Sequence, residues 1–356
     1  MKSSALLPLL LAFGVFSQKS AAQTPDTLSR DSAQRLTVFQ YFFQENALDA
    51  TLELDFEQLL REKEGNAFRP AQLRYVDKTG AAQEVAVGIK PKGHSRRTIC
   101  DIPPVKIRFP KEFLTAYGLQ PSPVLELVVI CKEEPGYEQY VLREYAAYRL
   151  YNILTGNSLR VQLLKLKFQQ TGKKGTEAEG FAFFTEPENE LAERLGGKVV
   201  EPNRISPKGL EPTEFDVLSL FEFMVGNTDW YVYNRHNIAT MIIEGDSLPI
   251  GVPYDFDYSG FVRTPYAVPA ERLKIPDVTI RYFLGLCRRP DDWQPTLQLF
   301  RDKKAELLGF CQQFPHFNKD SRKYTTGYLE DFFELLDNPK KVQEKIVEHC
   351  GAAFIK

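Results

Sequence analysis

Residues 226–260 decide how this chain is interpreted. They read GNTDWYVYNRHN over 226–237, IATMIIEGDSLPIG over 238–251 and VPYDFDYSG over 252–260. The middle part contains two apolar runs separated by a Glu-Gly-Asp-Ser turn, a pattern that predicts a β-hairpin. Asp229 therefore precedes the hairpin, and Asp255 and Asp257 follow directly after its second strand.

The acidic residues that flank this hairpin have two interpretations. Asp and Asn are common turn residues, so each cluster could be ordinary loop chemistry. Carboxylates that repel one another in a largely apolar neighbourhood, however, favour a bound cation. Phosphoryl-transfer enzymes combine an Asp that orients or deprotonates the acceptor hydroxyl with an Asn and a second Asp that hold Mg²⁺. The order of Asp229, Asn237 and Asp255 favours this second interpretation.

The first residues are typical of an export signal. One positive charge in Met1–Ser4 precedes the apolar run Ala5–Phe16, and small residues follow at Ser20–Ala22. This order predicts a signal peptide over 1–22, a mature chain that starts near Gln23, and a polar leader over 23–40. No later segment reaches the roughly 18 apolar residues of a membrane helix. We therefore expect a periplasmic or extracellular protein with no transmembrane segment after cleavage.

Composition restricts the partners and the metal chemistry. The formal net charge is -2, with 45 Lys and Arg against 47 Asp and Glu, so no global field attracts nucleic acid. None of the five cysteines has C-x-x-C spacing, so neither zinc nor a redox pair is indicated. Cys100–Cys131 and Cys287–Cys311 are possible disulfides that the sequence does not decide, and the odd count leaves at least one thiol free.

The predicted elements divide the chain into two halves. The first half is rich in strands and carries one long helix at about 137–154. The second half begins with a short helix over 188–195 and an amphipathic helix over 211–226. It then contains the hairpin and continues as helices over about 278–287, 294–314, 321–336 and 341–351. This pattern predicts an α+β, two-lobed protein-kinase-like fold. The strand-rich N-lobe, with the nucleotide-binding residues, would span 41–186, and the helix-rich C-lobe 187–356.

Two basic segments of the first half are candidates for phosphate binding. In IKPKGHSRR (89–97), Gly93 would let the backbone approach a phosphate, while Lys92, Ser95, Arg96 or Arg97 could donate to its oxygens. A solvated basic turn is the alternative for this segment. On the strand 105–109, Lys106 could reach nucleotide phosphates, held by Glu144 of the long helix. The alternative is ordinary exposed strand charge, which this pair taken alone favours slightly.

Other polar or aromatic residues near the acidic clusters are weaker candidates. His236 could carry a proton by residue type. Trp230, Tyr231 and Tyr233 could shape a pocket, but aromatic residues at such positions usually pack in a core.

The order of these motifs resembles the spore-coat CotH-type kinase family, an atypical secreted branch of the kinase-like fold. The resemblance covers roughly residues 85–260. Residues 89–95 are similar to that family's strand followed by Arg-Gly-Asn-Ser, and 142–147 to its Leu-Arg-x-x-Leu-Ala helix. The remaining similarities are the basic strand at 105–109, the strand into a hinge Glu at 181–186, the Asn-x-Asp…Asn segment at 227–237, and Pro-Trp-Asp-x-Asp…Gly at 253–260.

The resemblance implies specific roles for the acidic clusters. It makes Asp229 the catalytic acid/base or acceptor-orienting group. It makes Asn237 a Mg²⁺ ligand, with Asn234 as an alternative, and Asp255 the main metal-binding carboxylate with Asp257 as its helper.

The sequence departs from the family pattern at two places. Ile102-Pro103-Pro104 stands where the family has Lys-Lys, so Lys106 is a stand-in for the nucleotide-binding lysine. Tyr254 replaces the family Trp, a change that conserves size.

Three functions follow from these observations. The leading hypothesis is an exported kinase that uses ATP with Mg²⁺ or Mn²⁺ to phosphorylate a protein hydroxyl. The second is an inactive pseudokinase that serves as a binding or structural protein with an envelope partner, which the missing Lys-Lys favours. The third is a metal-dependent hydrolase built on Asp229, Asp255 and Asp257.

Overall fold

The computed structural model describes Met1 and residues 35–93, 95–173, 175, 177–200 and 205–350. The expected signal peptide, apart from Met1, and the expected leader up to residue 34 lie outside the described residues. Contacts divide the chain into Met1–Arg35 and Leu36–Lys356, and every described helix and strand belongs to the second unit.

Seven strands close into a barrel. Six neighbouring pairs are antiparallel, whereas the first and sixth strands pair in parallel, with Leu48 opposite Leu164. Alternate side chains of the first strand are buried, as expected for a strand with one face towards the core. The strands, in the barrel order β1-β2-β3-β4-β5-β7-β6, are β1 Leu48–Leu54, β2 Arg69–Val76, β3 Ala82–Pro91, β4 Val105–Arg108, β5 Val124–Val128, β6 Val161–Gln170 and β7 Ala178–Thr185.

The expected two-lobed protein-kinase-like fold, with a strand-rich N-lobe and a helix-rich C-lobe, is wrong. The strands form a closed mixed barrel. One hydrophobic cluster contains residues of the barrel, such as Leu52, together with residues of the later helices, such as Leu150, Phe221 and Phe332. Local patterns identified strands and helices but not closure, because closure depends on β1 pairing with β6 across more than a hundred residues.

The rest of the described part of this unit is mainly helical, apart from a second small sheet. The predicted helix at about 137–154 is confirmed as α5, whereas residues 278–287, predicted as a helix, are irregular. The helices are α1 Val38–Phe42, α2 Phe56–Arg61, α3 Ser95–Ile99, α4 Lys111–Ala116, α5 Glu138–Leu154, α6 Glu188–Arg194, α7 Pro212–Val225, α8 Pro290–Gln313, α9 Lys319–Leu336 and α10 Pro339–Val342, with short 3₁₀ turns at Pro207–Gly209 and Glu271–Leu273 and a π-helical turn at Gln343–Val347. No helix in the described part of the chain is both long and apolar enough to cross a bilayer.

The predicted hairpin is present in a second, three-stranded sheet. Its strands β9 (Ile238–Ile243) and β10 (Ile250–Pro253) are antiparallel, and β8 (Gly197–Val199) pairs with the other edge of β9. Helix α7 ends at Val225, and Gly226 follows it with a φ of 66°, a left-handed conformation that glycine adopts without a Cβ penalty. The chain then turns through 227–237 into β9, so both acidic segments lie at the same end of the hairpin.

Two disulfides join distant segments. Cys100, directly after α3, is bonded to Cys131, and Cys287 is bonded to Cys350. The first pair is one that the sequence allowed. The other disulfide that the sequence allowed, Cys287–Cys311, is wrong, because Cys287 is bonded to Cys350 and Cys311 is a buried free thiol.

Candidate functional site

A cleft of about 620 Å³ lies between one end of the barrel, α5 and the acidic end of the hairpin. Its volume is within the range of small-molecule sites. Nine of the ten sequence-predicted site residues line it: Lys92, Gly93, Ser95, Lys106, Glu144, Asp229, Asn237, Asp255 and Asp257. Arg97 does not line this cleft; its guanidinium donates to the Pro91 carbonyl at 2.9 Å.

Asn237 and Asp255 are held at the open end of the hairpin. The Tyr254 N–H donates to the Asn237 carbonyl at 3.0 Å, which extends the pairing of β9 and β10 by one step. The Asp255 N–H donates to the Tyr148 hydroxyl of α5 at 2.9 Å. Asn237 and Asp255 both have left-handed backbones, with φ of 56° and 63°. Such conformations are costly without glycine and are common at functional sites.

Asp229 is held by three neighbours, two of which contact its carboxylate. Its own N–H donates to Asn227 Oδ1 at 3.0 Å, which forms a side-chain turn. Asn237 Nδ2 donates to the Asp229 carbonyl at 2.7 Å and to its Oδ2 at 3.2 Å. His236 Nε2 lies 2.9 Å from Oδ1, and this hydrogen bond raises the pKa of His236. The sequence singled out His236 by type alone, and the structure places it beside the candidate catalytic carboxylate.

Arg96 is the central cation of the cleft. Its Nε donates to Asp257 Oδ2 at 2.6 Å, its Nη2 donates to Glu144 Oε2 at 2.6 Å, and its Nη2 is 3.7 Å from Asp255 Oδ1. Burial opposes its charge, but Asp257 and Glu144 keep the pKa of Arg96 above its ordinary value. The expected pairing of Glu144 with Lys106 is wrong, because Arg96 takes that position.

Two of the carboxyl groups around Arg96, those of Asp255 and Glu144, have raised pKa values. Burial, reinforced by Asp257, raises the pKa of Asp255 to about 6. Burial raises the pKa of Glu144 to about 8, although Arg96 acts in the opposite direction. A cation brought close to these groups would be stabilised by their ionised forms.

Lys92 and Lys106 share one carboxylate. Lys106 Nζ is 2.8 Å from Glu126 Oε1, and Lys92 pairs with the other oxygen of the same group. Burial disfavours the ionised Glu126, but the two lysines lower its pKa overall. One net positive charge therefore remains beside the barrel end of the cleft. Sequence reasoning missed Glu126, although it lies directly opposite Lys106 on the paired strands β4 and β5.

The oxygen donors of the cleft suit a hard divalent cation that takes part of its shell from a ligand. Asp255, with 41% of its side chain exposed, is the most available carboxylate, and Asn237 lines the same cleft. Asp257 Oδ2 is already occupied by Arg96 and by the Tyr266 hydroxyl at 3.0 Å. In the described ranges, no group of three or more His, Cys, Asp or Glu side chains is arranged to hold a metal. Mg²⁺ commonly binds through one or two protein oxygens together with phosphates, and Asp255 and Asn237 fit that mode.

Comparisons with known proteins give little support of their own. No family model matches the chain, and no curated protein matches it. The crystal structure of a Helicobacter pylori proinflammatory kinase, CtkA, is similar over 75% of this chain and 95% of that chain, with 9% identity and a TM-score of 0.35. That similarity is too low to carry a functional argument, and no match supports the CotH-type family in particular.

Proposed function

We propose that the cleft binds ATP with Mg²⁺ or Mn²⁺ and transfers a phosphoryl group to a hydroxyl of a protein substrate. The observation that carries this proposal is the convergence of Asp229, Asn237 and Asp255 with the lysines Lys92 and Lys106 in one cleft. Phosphoryl transfer requires these two kinds of group, anionic or amide oxygens for the metal and cations for the phosphates.

Each group has a role that follows from its position. Lys92, Lys106 and Ser95 would donate to phosphate oxygens, and Gly93, with φ of 88°, leaves the backbone beside them free of a Cβ. Asp255 and Asn237 would hold the divalent ion, which when bound would neutralise phosphate charge. Asp229, oriented by Asn227, Asn237 and His236, would accept the proton of the attacking hydroxyl.

A non-catalytic binding protein is the second candidate. The contacts of Lys92 and Lys106 with Glu126 favour it, because these lysines are already neutralised in part without a ligand. A metal-dependent hydrolase is a third candidate, and the same experiment tests it.

Calorimetric titration with ATP alone, Mg²⁺ alone and both together distinguishes these functions. The kinase proposal predicts binding that requires both components and transfer of labelled phosphate to a protein acceptor. Metal-dependent nucleotide binding without transfer would favour the binding protein, and tight binding of metal alone would favour the hydrolase. Lys106→Met should weaken nucleotide binding, whereas Lys111→Met, at an exposed position on α4, should not.

We also propose that the protein functions after export, in the periplasm or outside the cell. Two disulfides in the described residues support this proposal, because disulfides persist mainly in oxidising compartments. Mass spectrometry of the exported protein should find an N-terminus at or near Gln23. Detection only in the cytosol, with Met1 retained, would contradict it.

A further inference from the structure

Arg96 provides the positive charge at the centre of an acidic cluster. The cluster consists of Glu144 on α5 together with Asp255 and Asp257 after β10. The ion pairs found between described residues give these three carboxylates no cationic partner other than Arg96. Only 10% of the Arg96 side chain is exposed, so its guanidinium cannot exchange freely between the cluster and solvent.

The positions of the guanidinium and of the carboxylates determine which oxygens a metal could use. Asp257 and Glu144 are almost fully buried and each accepts a hydrogen bond from Arg96 at 2.6 Å. Asp255 is 3.7 Å from the same guanidinium and faces the cleft with 41% of its side chain exposed. A divalent ion that approached Asp257 or Glu144 would meet the positive charge of Arg96 at close range, and the two cations would repel each other.

We propose that Arg96 is a built-in counter-cation that prevents the acidic cluster from binding a divalent metal until nucleotide phosphates supply the missing ligands. This inference rests on the metal–nucleotide site of the proposed function and specifies its order of binding. Asp255 and Asn237 alone give the metal too few protein ligands, and Arg96 keeps Asp257 and Glu144 from contributing. Metal and nucleotide would therefore bind together, and the free protein would not take up a metal ion that blocks the cleft.

A purely structural role is the competing explanation. Arg96 joins α3, α5 and the loop after β10, and a buried ion pair of this kind can serve only to fix three segments. The two explanations differ in one measurable property, the affinity of the nucleotide-free protein for a metal after the charge of Arg96 has been removed.

The test is Mn²⁺ binding without nucleotide, measured by electron paramagnetic resonance at pH 8, where metal binding can displace protons from the cluster. Wild type should show only weak binding. Arg96→Met, which keeps the length of the side chain but not its charge, should bind Mn²⁺ at least about tenfold more tightly. Arg96→Lys should behave like wild type, and Asp255→Asn added to Arg96→Met should abolish the gain. A rise in the thermal midpoint of Arg96→Met on addition of Mn²⁺ should accompany tighter binding.

Two results would overturn the proposal. One is a folded Arg96→Met variant whose Mn²⁺ affinity equals that of wild type. The other is tight binding of Mn²⁺ by nucleotide-free wild type, a result that contradicts the proposal even if Arg96→Met does not fold. The proposed function is tested separately, by the binding of Mn²⁺ to wild type in the presence of ATP, so the two failures are distinguishable.

Discussion

Glu222 and Asp229 are connected through a single residue, Asn227. The Glu222 carbonyl accepts the Asn227 N–H at 2.8 Å, and Asn227 Oδ1 accepts the Asp229 N–H at 3.0 Å. The side chain of Glu222 is completely buried behind this turn. Burial raises its pKa well above the ordinary 4.5, Asp229 adds to the effect, and the Asn227 side chain opposes it. The backbone of Glu222 therefore holds the loop that carries the candidate catalytic residue, and the buried carboxyl group behind it disfavours ionisation.

Replacing Glu222 by Gln should flatten the dependence of stability on pH. The folded state keeps a proton on Glu222 that the unfolded chain releases above pH 4.5, so the wild type loses stability as pH rises. The free energy of unfolding of wild type should therefore fall more steeply than that of Glu222→Gln as pH rises above 4.5. Urea unfolding of both proteins at several pH values measures this slope, with exposed Glu244→Gln as the control. Equal slopes in wild type and Glu222→Gln would show that Glu222 is ionised in the folded state.

Asp255→Asn should separate binding from stability. The variant should lose metal-dependent nucleotide binding because the most exposed carboxylate of the acidic cluster is removed. In the absence of metal, the thermal midpoint of Asp255→Asn should exceed that of wild type, and this difference should grow from pH 4 to pH 7. The pKa of about 6 in the folded state means that the contribution of Asp255 to stability is lost as pH rises through that value.

The matched control for Asp255→Asn is Asp246→Asn, in the exposed turn of the same hairpin. This variant should bind nucleotide and unfold like wild type. A variant Asp255→Asn that unfolds outright would instead assign Asp255 a structural role in its loop.

Asp229→Asn should act on the chemical step. Removal of a positioned proton acceptor should lower the rate of phosphoryl transfer by about 10²-fold or more, with little change in nucleotide affinity. The same substitution removes the negative charge beside His236, so the pKa of His236 should fall towards 6.5. Transfer assays, nucleotide titration and NMR of the imidazole resonances measure the three quantities. A wild-type transfer rate would exclude Asp229 from the reaction.

Removing the disulfide between Cys100 and Cys131 should destabilise the fold. The bond closes a loop with a sequence separation of 31 residues, and its loss in Cys100→Ala/Cys131→Ala should cost about 3–4 kcal/mol. Denaturant unfolding measures the cost, and Cys311→Ala, which removes a buried thiol but no cross-link, is the comparison. An unchanged free energy of unfolding in the double variant would show that the bond adds no constraint.

Sequence reasoning located the cleft better than it described the fold. Asp229, Asn237 and Asp255 were predictable as neighbours because a hairpin returns the chain to the place where it began. Lys106 and Glu126 face each other on adjacent strands, so their contact was within reach of the same reasoning.

Other contacts depend on how distant segments meet. Arg96 donates to Glu144 and Asp257, which lie 48 and 161 residues further along the chain. No local pattern indicates which of several basic residues pairs with these two carboxylates. The bond from Cys287 to Cys350 and the closure of the barrel are of the same kind. Such pairings are determined by the packing of the whole core rather than by periodicity.

The parallel pairing of β1 with β6 has a consequence for biosynthesis. Leu48 leaves the ribosome well before Leu164, its partner, and at about 5–20 residues per second the delay is on the order of ten seconds. During that interval the edge of β1 that later pairs with β6 has no neighbour, and an unpaired strand edge can associate with other chains. A nascent chain that stopped before Val161 would keep this edge open, so holdase chaperones should bind such a truncated chain more strongly than the full-length protein.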